Sequence, residues 1–481
     1  MTDVGILGFG AYVPITRLQR SAIHTANAWF APGLKGLAKG EKAVSSWDED
    51  TITMAVEAAR DLYADADRAA SSITLASTTH VFADRQNAGV IKEALNLPDA
   101  TGALDVGGSQ RAGTSALITA LDAASAGKST LHIASERVIP TPASDREMQA
   151  GDAAAAILVG PASGDLVAKF IASHSVTADF VDHFRENGVD ANYDWEARWV
   201  RDEGFDKIAV PALKSALEKA GLDGSKITHF IAPIAVRGIP EMLAKKAGIP
   251  AEAIADTLIP AIGHAGAAHP TVMLAAALES APAGAIICLI GFGQGCDVIL
   301  FEATGAGMRP RLGVSGSVAR RTECTNYMKY LFHRGLVPLD KGARAEFDSK
   351  TALTALWRNR KSVMALVGGR CTKTGSIQFP KTDISVNPND HAIGTQEDYP
   401  LADLPAKILT YTADVLAFSP EPPDCYGQIE FAGGGRMMAQ FIDMPADNLD
   451  VGVDLRMMFR IKSLDEIRHF RRYFWKAAPA F

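Results

Sequence analysis

Most of the side chains suited to chemistry lie in two glycine-rich turns. Ser109 and Gln110 occur in VGGSQRAG (Val106–Gly113), and His264 and His269 occur in IGHAGAAHP (Ile262–Pro270). Imidazole is the side chain best suited to moving a proton near neutral pH, so His264 and His269 are candidate acid–base groups. A serine hydroxyl attacks a carbonyl only with a base beside it, and Ser109 reads either as such a nucleophile or as a helix N-cap. The Gln110 amide donates and accepts hydrogen bonds but cannot attack a carbonyl, which makes it a ligand contact or a capping group. His80 and Arg85, in TTHVFADR, lie just beyond an apolar strand and reach the same pocket or a polar surface loop. Two histidines five residues apart raise the question of a metal, but no third ligand is evident nearby and no metal is expected.

These residues need a scaffold that brings the two turns together. The chain contains an internal repeat that does so: Leu104 to Ser135 and Pro260 to Gly291 each read as a glycine-rich turn, a small-residue helix, a glycine and an apolar strand. Each copy follows a helix, a strand and a further helix, at Thr51–Tyr63, Ser72–Ser77 and Asn87–Leu95, then at Phe205–Ala220, Ile227–Ile234 and Pro240–Ala247. Asp48, Glu49 and Asp50 precede the first helix, where acidic residues suit its dipole. The pattern is that of a duplicated, layered α/β core. Its two turns are expected to face one another across a pseudo-twofold axis, each offering backbone N–H groups to a ligand oxygen.

The rest of the sequence bounds the function. With 481 residues, 47% of them hydrophobic and 21% charged, the chain is long enough for two or three domains. A net charge of −7 argues against nucleic acid as a partner. No apolar run approaches the length of a membrane span, and the N-terminus lacks the pattern of a secretory signal. The five cysteines, odd in number and confined to the second half, fit a reducing cytoplasm rather than a disulfide framework. GILGFG (Gly5–Gly10) has no helix opening after it and is followed by Pro14, so no nicotinamide site is expected. After Glu302 the character changes. Residues 305–320 are Gly-, Arg- and Ser-rich and read as a linker. Asn326–Arg334 and Ser349–Arg360 suggest two short helices, and strand-like segments follow at Lys407–Phe418, Tyr426–Phe431, Met437–Asp443 and Asp454–Ile461. This region is expected to form a small all-β unit, a five-stranded barrel.

These motifs resemble the thiolase superfamily, in its branch of hydroxymethylglutaryl-CoA synthases and ketoacyl synthase III enzymes, joined to an acyl-CoA-associated OB-fold domain of the DUF35 type. GILGFGAYVP, GEKAVSSWDEDTITMAVEAA, RAGTSAL, GDAAAAILVG, AKKAGI and GFGQG stand in the family's order. YLFHRGLVP, GRCTKTGSIQFP and the terminal YFWKAAPAF are similar to the helical entry, ribbon and last segment of the OB-fold partner. The resemblance implies a thiolase-like αβαβα core with halves at 1–160 and 161–304, a linker with a helical hairpin at 305–365, and a degenerate zinc ribbon with an OB-fold at 366–481. Cys371 is alone where the ribbon carries a C-x-x-C pair, and no zinc is expected there.

The family's catalytic residues are replaced. Anchored on Ala112–Thr114, the position of the nucleophilic cysteine holds Gln110. Anchored on Ala244–Lys246, the catalytic histidine falls at Pro233 or Ile234. The asparagine of the family's G-N-T turn is His264, and the glutamate base falls at about Thr78. The resemblance therefore implies CoA-dependent cleavage or formation of a C–C bond in a β-keto acid or acyl-CoA, without a catalytic cysteine. A retro-aldolase of β-hydroxyacyl-CoA, a Gln-type decarboxylase and a non-catalytic acyl-CoA-binding scaffold stand beside it. CoA or acyl-CoA is the expected cosubstrate, a small acyl or β-keto acid the substrate, and a homodimer the expected assembly. Arg358, Arg360, Lys361, Arg370 and Lys373 are the expected cations for the CoA phosphates.

Overall fold

The computed structural model describes residues 3–64, 66–162, 165–342 and 350–480. Ser349, the expected start of the second linker helix, and Phe481, the end of the terminal motif, lie outside them. The chain divides into two compact units. Unit 1 comprises Met1–Ser46, Asp50–Ile91 and Leu97–Arg334, and unit 2 comprises Trp47–Glu49, Lys92–Asn96 and Gly335–Phe481.

Unit 1 is built on a nine-stranded sheet that records the duplication in its strand order. From its centre, where Val4–Tyr12 pairs antiparallel with Ala168–Thr177, one half runs through Ala153–Pro161, Thr130–Glu136, Ser72–Ala76 and Gly102–Val106. The other half runs through Gly295–Ala303, Ile286–Phe292 and His229–Ile231, and ends in a single parallel bridge between Phe230 and Ile254. The fifth strand of the first copy is thus reduced to one residue pair in the second. GILGFG lies inside the first strand. A Cβ at Gly10 would stand 2.3 Å from the Leu62 nitrogen, so this glycine lets the Thr51–Tyr63 helix lie directly on the sheet.

The helices that lead out of the two glycine turns, Ala112–Ser125 and His269–Ser280, are buried by small residues. Ala112, Ala116, Ala120 and Ala124 recur every four positions along one face and join the core shared with Val272 and Leu274. Where the two turns meet, a Cβ on Gly113 would be 2.3 Å from the Ala267 carbonyl oxygen. Only glycine at that point allows the approach.

Three segments differ from expectation, each because of a distant partner or a local backbone demand. The helix expected at Phe205–Ala220 continues a π-helical stretch, Val200–Ala209, into Val210–Ala220. Pro211 has no N–H to donate back into the preceding turn, which favours the wider winding. The segment 305–320 contains the helix Gly313–Ala319, whose first N–H groups are taken by remote carboxylates. Asp61 accepts from Leu312 and Gly313 at 2.7 and 3.1 Å, and Glu279 accepts from Ser315 at 3.2 Å. The strand Thr322–Cys324 then pairs parallel with Thr16–Gln19, so this stretch belongs to unit 1.

The acidic run before the Thr51–Tyr63 helix is the third difference. Asp50 is the N-cap, accepting from the Ile52 and Thr53 nitrogens at 3.0 Å, while the Thr53 hydroxyl accepts from the Asp50 nitrogen at 2.8 Å. Asp48 and Glu49 do not serve the helix dipole. They belong to unit 2, where Asp48 lies 2.9 Å from the Lys476 ammonium and Glu49 lies 2.7 Å from the Arg460 guanidinium.

Unit 2 holds the short helices Leu353–Arg358 and Arg360–Ala365, a three-stranded sheet around Val367–Cys371, and a larger antiparallel sheet. In the larger sheet Asp424–Phe431 pairs with Arg436–Gln440 on one edge, and with Ala406–Ile408 and Thr412–Asp414 on the other. Asp454–Asp465 and Phe470–Pro479 complete it, and a bridge from Phe441 to Ala477 brings the last strand back to the first edge. The expected segment Lys407–Phe418 is two short strands rather than one, and the strand Phe470–Pro479 adds an element the sequence pattern did not separate.

Burial alone would raise the Asp48 carboxyl, but Lys476 and Arg460 together hold it below the ordinary carboxylate range. Removing one member of such a buried cluster strands the others. Asp48→Ala is expected to destabilise unit 2 by about 3–5 kcal/mol. Urea unfolding followed by tryptophan fluorescence would read this through Trp475, which is fully buried. An unchanged midpoint would show that the cluster contributes nothing.

Candidate functional site

The two glycine turns are held together from beneath by Glu136, the last residue of the strand Thr130–Glu136, which is fully buried. One carboxylate oxygen accepts from the Thr78 and Ala267 nitrogens, both at 3.1 Å. The other accepts from the Ser77 hydroxyl at 3.2 Å and from the Thr79 hydroxyl. A single carboxylate therefore joins the loop after Ser72–Ala76 to the second glycine turn. Gly266 has φ +46°, and a Cβ there would stand 2.8 Å from the Glu136 side chain, so the turn fits over the carboxylate only as glycine. Sequence reasoning missed Glu136. Its one signal was an acidic residue closing an apolar strand, IASE.

The second turn is closed by its own groups. The His264 nitrogen donates to Gln149, the Ala265 nitrogen to His269 Nδ1, the Gly266 nitrogen to His264 Nδ1, and the Ala267 nitrogen to Glu136. Every N–H from Gly263 to Ala268 is used within the chain. The expectation that both turns offer N–H groups to a ligand therefore does not hold for this one.

The same bonds fix both imidazoles. Because Nδ1 accepts a backbone N–H in each ring, the proton sits on Nε2. It is donated by His264 to the Pro233 carbonyl at 3.0 Å and by His269 to the Thr257 carbonyl at 2.9 Å. The rings lie 4.6 Å apart. Burial lowers His264 to about 4, and burial with the neighbouring His264 lowers His269 well below its ordinary value. Both are neutral at physiological pH, and each ring nitrogen has a main-chain partner.

The first turn is open. The N–H groups of Gly107, Gly108, Ser109 and Gln110 have no partner among the described residues, and neither has the half-buried Gln110 amide. Ser109 donates its hydroxyl to the Gly293 carbonyl at 2.8 Å and accepts from the Arg111 nitrogen at 3.2 Å, the arrangement of a turn-forming serine. Asp297, buried, fixes the start of the following helix by accepting from Arg111, Thr114 and Ser115 at 2.9, 2.9 and 2.7 Å. The GFGQG segment packs against this turn. A Cβ on Gly291 would be 2.2 Å from the Thr114 hydroxyl, and one on Gly293 would be 2.8 Å from that of Ser109.

His80 stands beside the same turn, its ring 3.3 Å from where a Gly107 Cβ would be. Its Nε2 lies 3.4 Å from the Leu75 carbonyl, and Nδ1 has no hydrogen-bond partner among the described residues. Arg85 lies over the Phe82 ring at 4.7 Å. Thr78, at the family's glutamate position, gives its nitrogen to Glu136, and its carbonyl accepts from Arg185. Cys288 and Cys296 are buried, and burial pushes both thiols up, Cys296 to about 12. The expected phosphate-binding cations lie in unit 2: Arg358, Arg360 and Lys361 line one cleft, Arg370 covers the Tyr399 ring at 5.5 Å, and Lys373 is exposed in a turn.

Neutral buried histidines tie stability to pH. His132 is also buried, 3.0 Å from the Thr74 hydroxyl, and burial lowers it to about 4. Between its ordinary value of 6.5 and this lowered value, the unfolded chain binds protons that the folded chain does not. The stabilisation from His132 and His264 is complete above about pH 6.5 and declines as pH falls towards 4. Each is expected to cost about 2 kcal/mol between pH 6.5 and 5. Urea midpoints across that range should fall, and His264→Asn should flatten the decline. A pH-independent midpoint would contradict the assignment.

Comparison with known proteins agrees with this architecture. The profile of the family described as 3-oxoacyl-[acyl-carrier-protein (ACP)] synthase III C terminal matches residues 217–301. The hydroxymethylglutaryl-CoA synthase of Pyrococcus furiosus is 30% identical over 309 residues, covering 63% of this chain and 86% of that protein. That of Methanocella arvoryzae is 28% identical over 352 residues, covering 70% and 99%. Among solved structures, 3-oxoacyl-(acyl carrier protein) synthase III of Pseudomonas aeruginosa superposes with a TM-score of 0.57 at 18% identity, over 64% of this chain and 99% of that one. MvaS in complex with 3-hydroxy-3-methylglutaryl coenzyme A gives a TM-score of 0.55 at 20% identity, over 73% and 95%. With its duplicated sheet and paired turns, the chain belongs, through residues 1 to about 300, to the thiolase superfamily in its hydroxymethylglutaryl-CoA synthase and ketoacyl synthase III branch.

Proposed function

We propose that unit 1 makes or breaks a carbon–carbon bond beside a thioester, with CoA or an acyl-CoA as cosubstrate and no acyl-enzyme. Gln110 at the opening of the first helix carries this reading. An amide stands where an acyl chain would otherwise be attached, and the adjacent Ser109 hydroxyl is already donated to a carbonyl. In the cleaving direction, the CoA thiolate sulfur bonds to the β-keto carbonyl carbon of the substrate, and the carbonyl oxygen becomes an oxyanion. The open N–H groups of Gly107–Gln110 are the donors suited to that oxygen. Collapse breaks the bond between the α- and β-carbons, leaves an acyl-CoA, and places the electron pair on the α-carbon, which then takes a proton. His80 is the imidazole of the set with an uncommitted nitrogen, and we assign it the proton transfer, with His264 and His269 shaping the second turn. Decarboxylation of a β-keto or malonyl group is the second reading, favoured by the same glutamine, and it needs the same oxyanion donors without the thiolate attack. We read the unit 2 barrel as a tethered OB-fold partner and the working assembly as a homodimer.

Intact-protein mass spectrometry during turnover of CoA with a panel of β-keto acids should show product acyl-CoA and no mass added to the protein. An acyl adduct on Ser109 or on any cysteine would overturn the non-covalent route. His80→Ala should lower turnover by about 10² to 10⁴-fold with the fold intact. A normal rate in that variant, with loss in His264→Asn, would move the proton transfer to His264. Inactivity of the wild type towards every compound, with CoA still bound, would favour a scaffold.

A further inference from the structure

Unit 2 contains a cleft of about 280 Å³ between the end of the helix Leu353–Arg358, the start of Arg360–Ala365 and the turn 381–383. Four cations line it, Arg358, Arg360, Lys361 and Lys381, against one carboxylate, Asp383. Lys361 and Lys381 are twenty positions apart in sequence, and a single carboxylate, Asp398, lies between them at 2.9 and 2.7 Å. That carboxylate is held below its ordinary range by hydrogen bonds from both lysines.

The two guanidinium groups of the cleft differ in their neighbours. The Arg360 guanidinium lies over the Trp357 ring at 4.4 Å and is 3.8 Å from Glu93, while Arg358 makes no ion pair among the described residues. Counting Asp383, Asp398 and Glu93 against the four cations, the cleft keeps a positive excess. Trp357 is 66% exposed beside it. Like charges crowded around one opening repel one another unless an anion enters, and two guanidinium groups supply paired donors that match the oxygens of a phosphate. The volume is near the lower end for a ligand pocket and suits a phosphate with its sugar rather than a whole cofactor.

We propose that this cleft is a binding site for a phosphate-bearing ligand, seating a phosphomonoester or diphosphate among Arg358, Arg360, Lys361 and Lys381, with Trp357 as a stacking face for an attached base. The site is a property of unit 2 alone and stands whatever reaction unit 1 performs. The ligand's source is the nucleotide end of CoA, a free nucleotide or inorganic phosphate, and these are distinguishable.

The test is calorimetric titration of the full chain with adenosine 3′,5′-bisphosphate, CoA, pantetheine and inorganic phosphate, at two salt concentrations. The wild type should bind the bisphosphate, more weakly at higher salt. The double variant Arg358→Gln, Lys381→Gln, both exposed positions, should lose about tenfold or more in that affinity. A parallel loss for CoA with none for pantetheine assigns the cleft to the CoA nucleotide. Loss for the bisphosphate with CoA unaffected assigns it to a free nucleotide. Equal binding of the bisphosphate and inorganic phosphate, lost in the variant, assigns it to the phosphate group alone. Bisphosphate affinity unchanged in the double variant, or no phosphate compound bound by the wild type, overturns the proposal. A thioester that lacks phosphates separates the two readings: its turnover by unit 1 should be unaffected by the double variant, and its failure to react would count against the reaction and not the cleft.

Discussion

The geometry of the site depends on one buried carboxylate. Glu136 accepts four hydrogen bonds from two segments, Ser77–Thr79 and the second glycine turn, and it does so from the end of a central strand. A buried anion without partners would be costly, so these donors must be in place for the chain to fold. The demand runs in both directions. The carboxylate needs the N–H groups of Thr78 and Ala267, and the turn that supplies the second of these is admissible only because Gly266 has no Cβ to strike the Glu136 side chain. The second turn is therefore positioned by the hydrogen bonds of a carboxylate together with the core contacts of Ala265, Ala267 and Ala268.

Duplication supplied two similar turns, but they have different duties. In the second copy, two imidazoles act as internal acceptors for the N–H groups of their own turn and return their protons to carbonyls. A histidine used in this way is a rigid linker between main-chain groups. In the first copy the corresponding N–H groups remain open, and the helix behind them is secured through Asp297 instead. One turn has become structural support for the other. A ligand oxygen can be received on one side only, and the polarity of the site follows from that asymmetry.

Much of the fold was legible because the repeat shows as pattern. The turn, small-residue helix and apolar strand recur at Leu104–Ser135 and Pro260–Gly291, and the alanines at every fourth position mark a helix face that must lie close to a neighbour. What the sequence could not show is where polar groups find partners across long separations. Asp48 looks like part of a helix start, yet its lysine is 428 positions away. The 305–320 stretch looks like a linker because its helix is capped by Asp61 and Glu279 rather than by a neighbouring residue. His264 and His269 look like proton carriers because imidazole usually titrates near neutrality, and only the placed backbone reveals that both nitrogens of each ring are spoken for.

On the proposed non-covalent route, the glutamine at position 110 has a wider consequence for the site's energetics. A covalent intermediate divides a difficult step in two, and a site without a nucleophile must lower the barrier of a single direct step by orientation and electrostatics. That places weight on donors that are fixed before the ligand arrives. The first turn meets this condition through neighbours that leave it little freedom: Ser109 bonded to Gly293, Arg111 to Asp297, and Gly291 and Gly293 packed where any Cβ would collide with Thr114 or Ser109. The second turn is rigid for the different reason that all its N–H groups are used. The first is held by its side chains and so keeps its N–H groups free. Rigidity without self-satisfaction is the property an oxyanion site needs, and in this chain it occurs at the turn that carries Gln110.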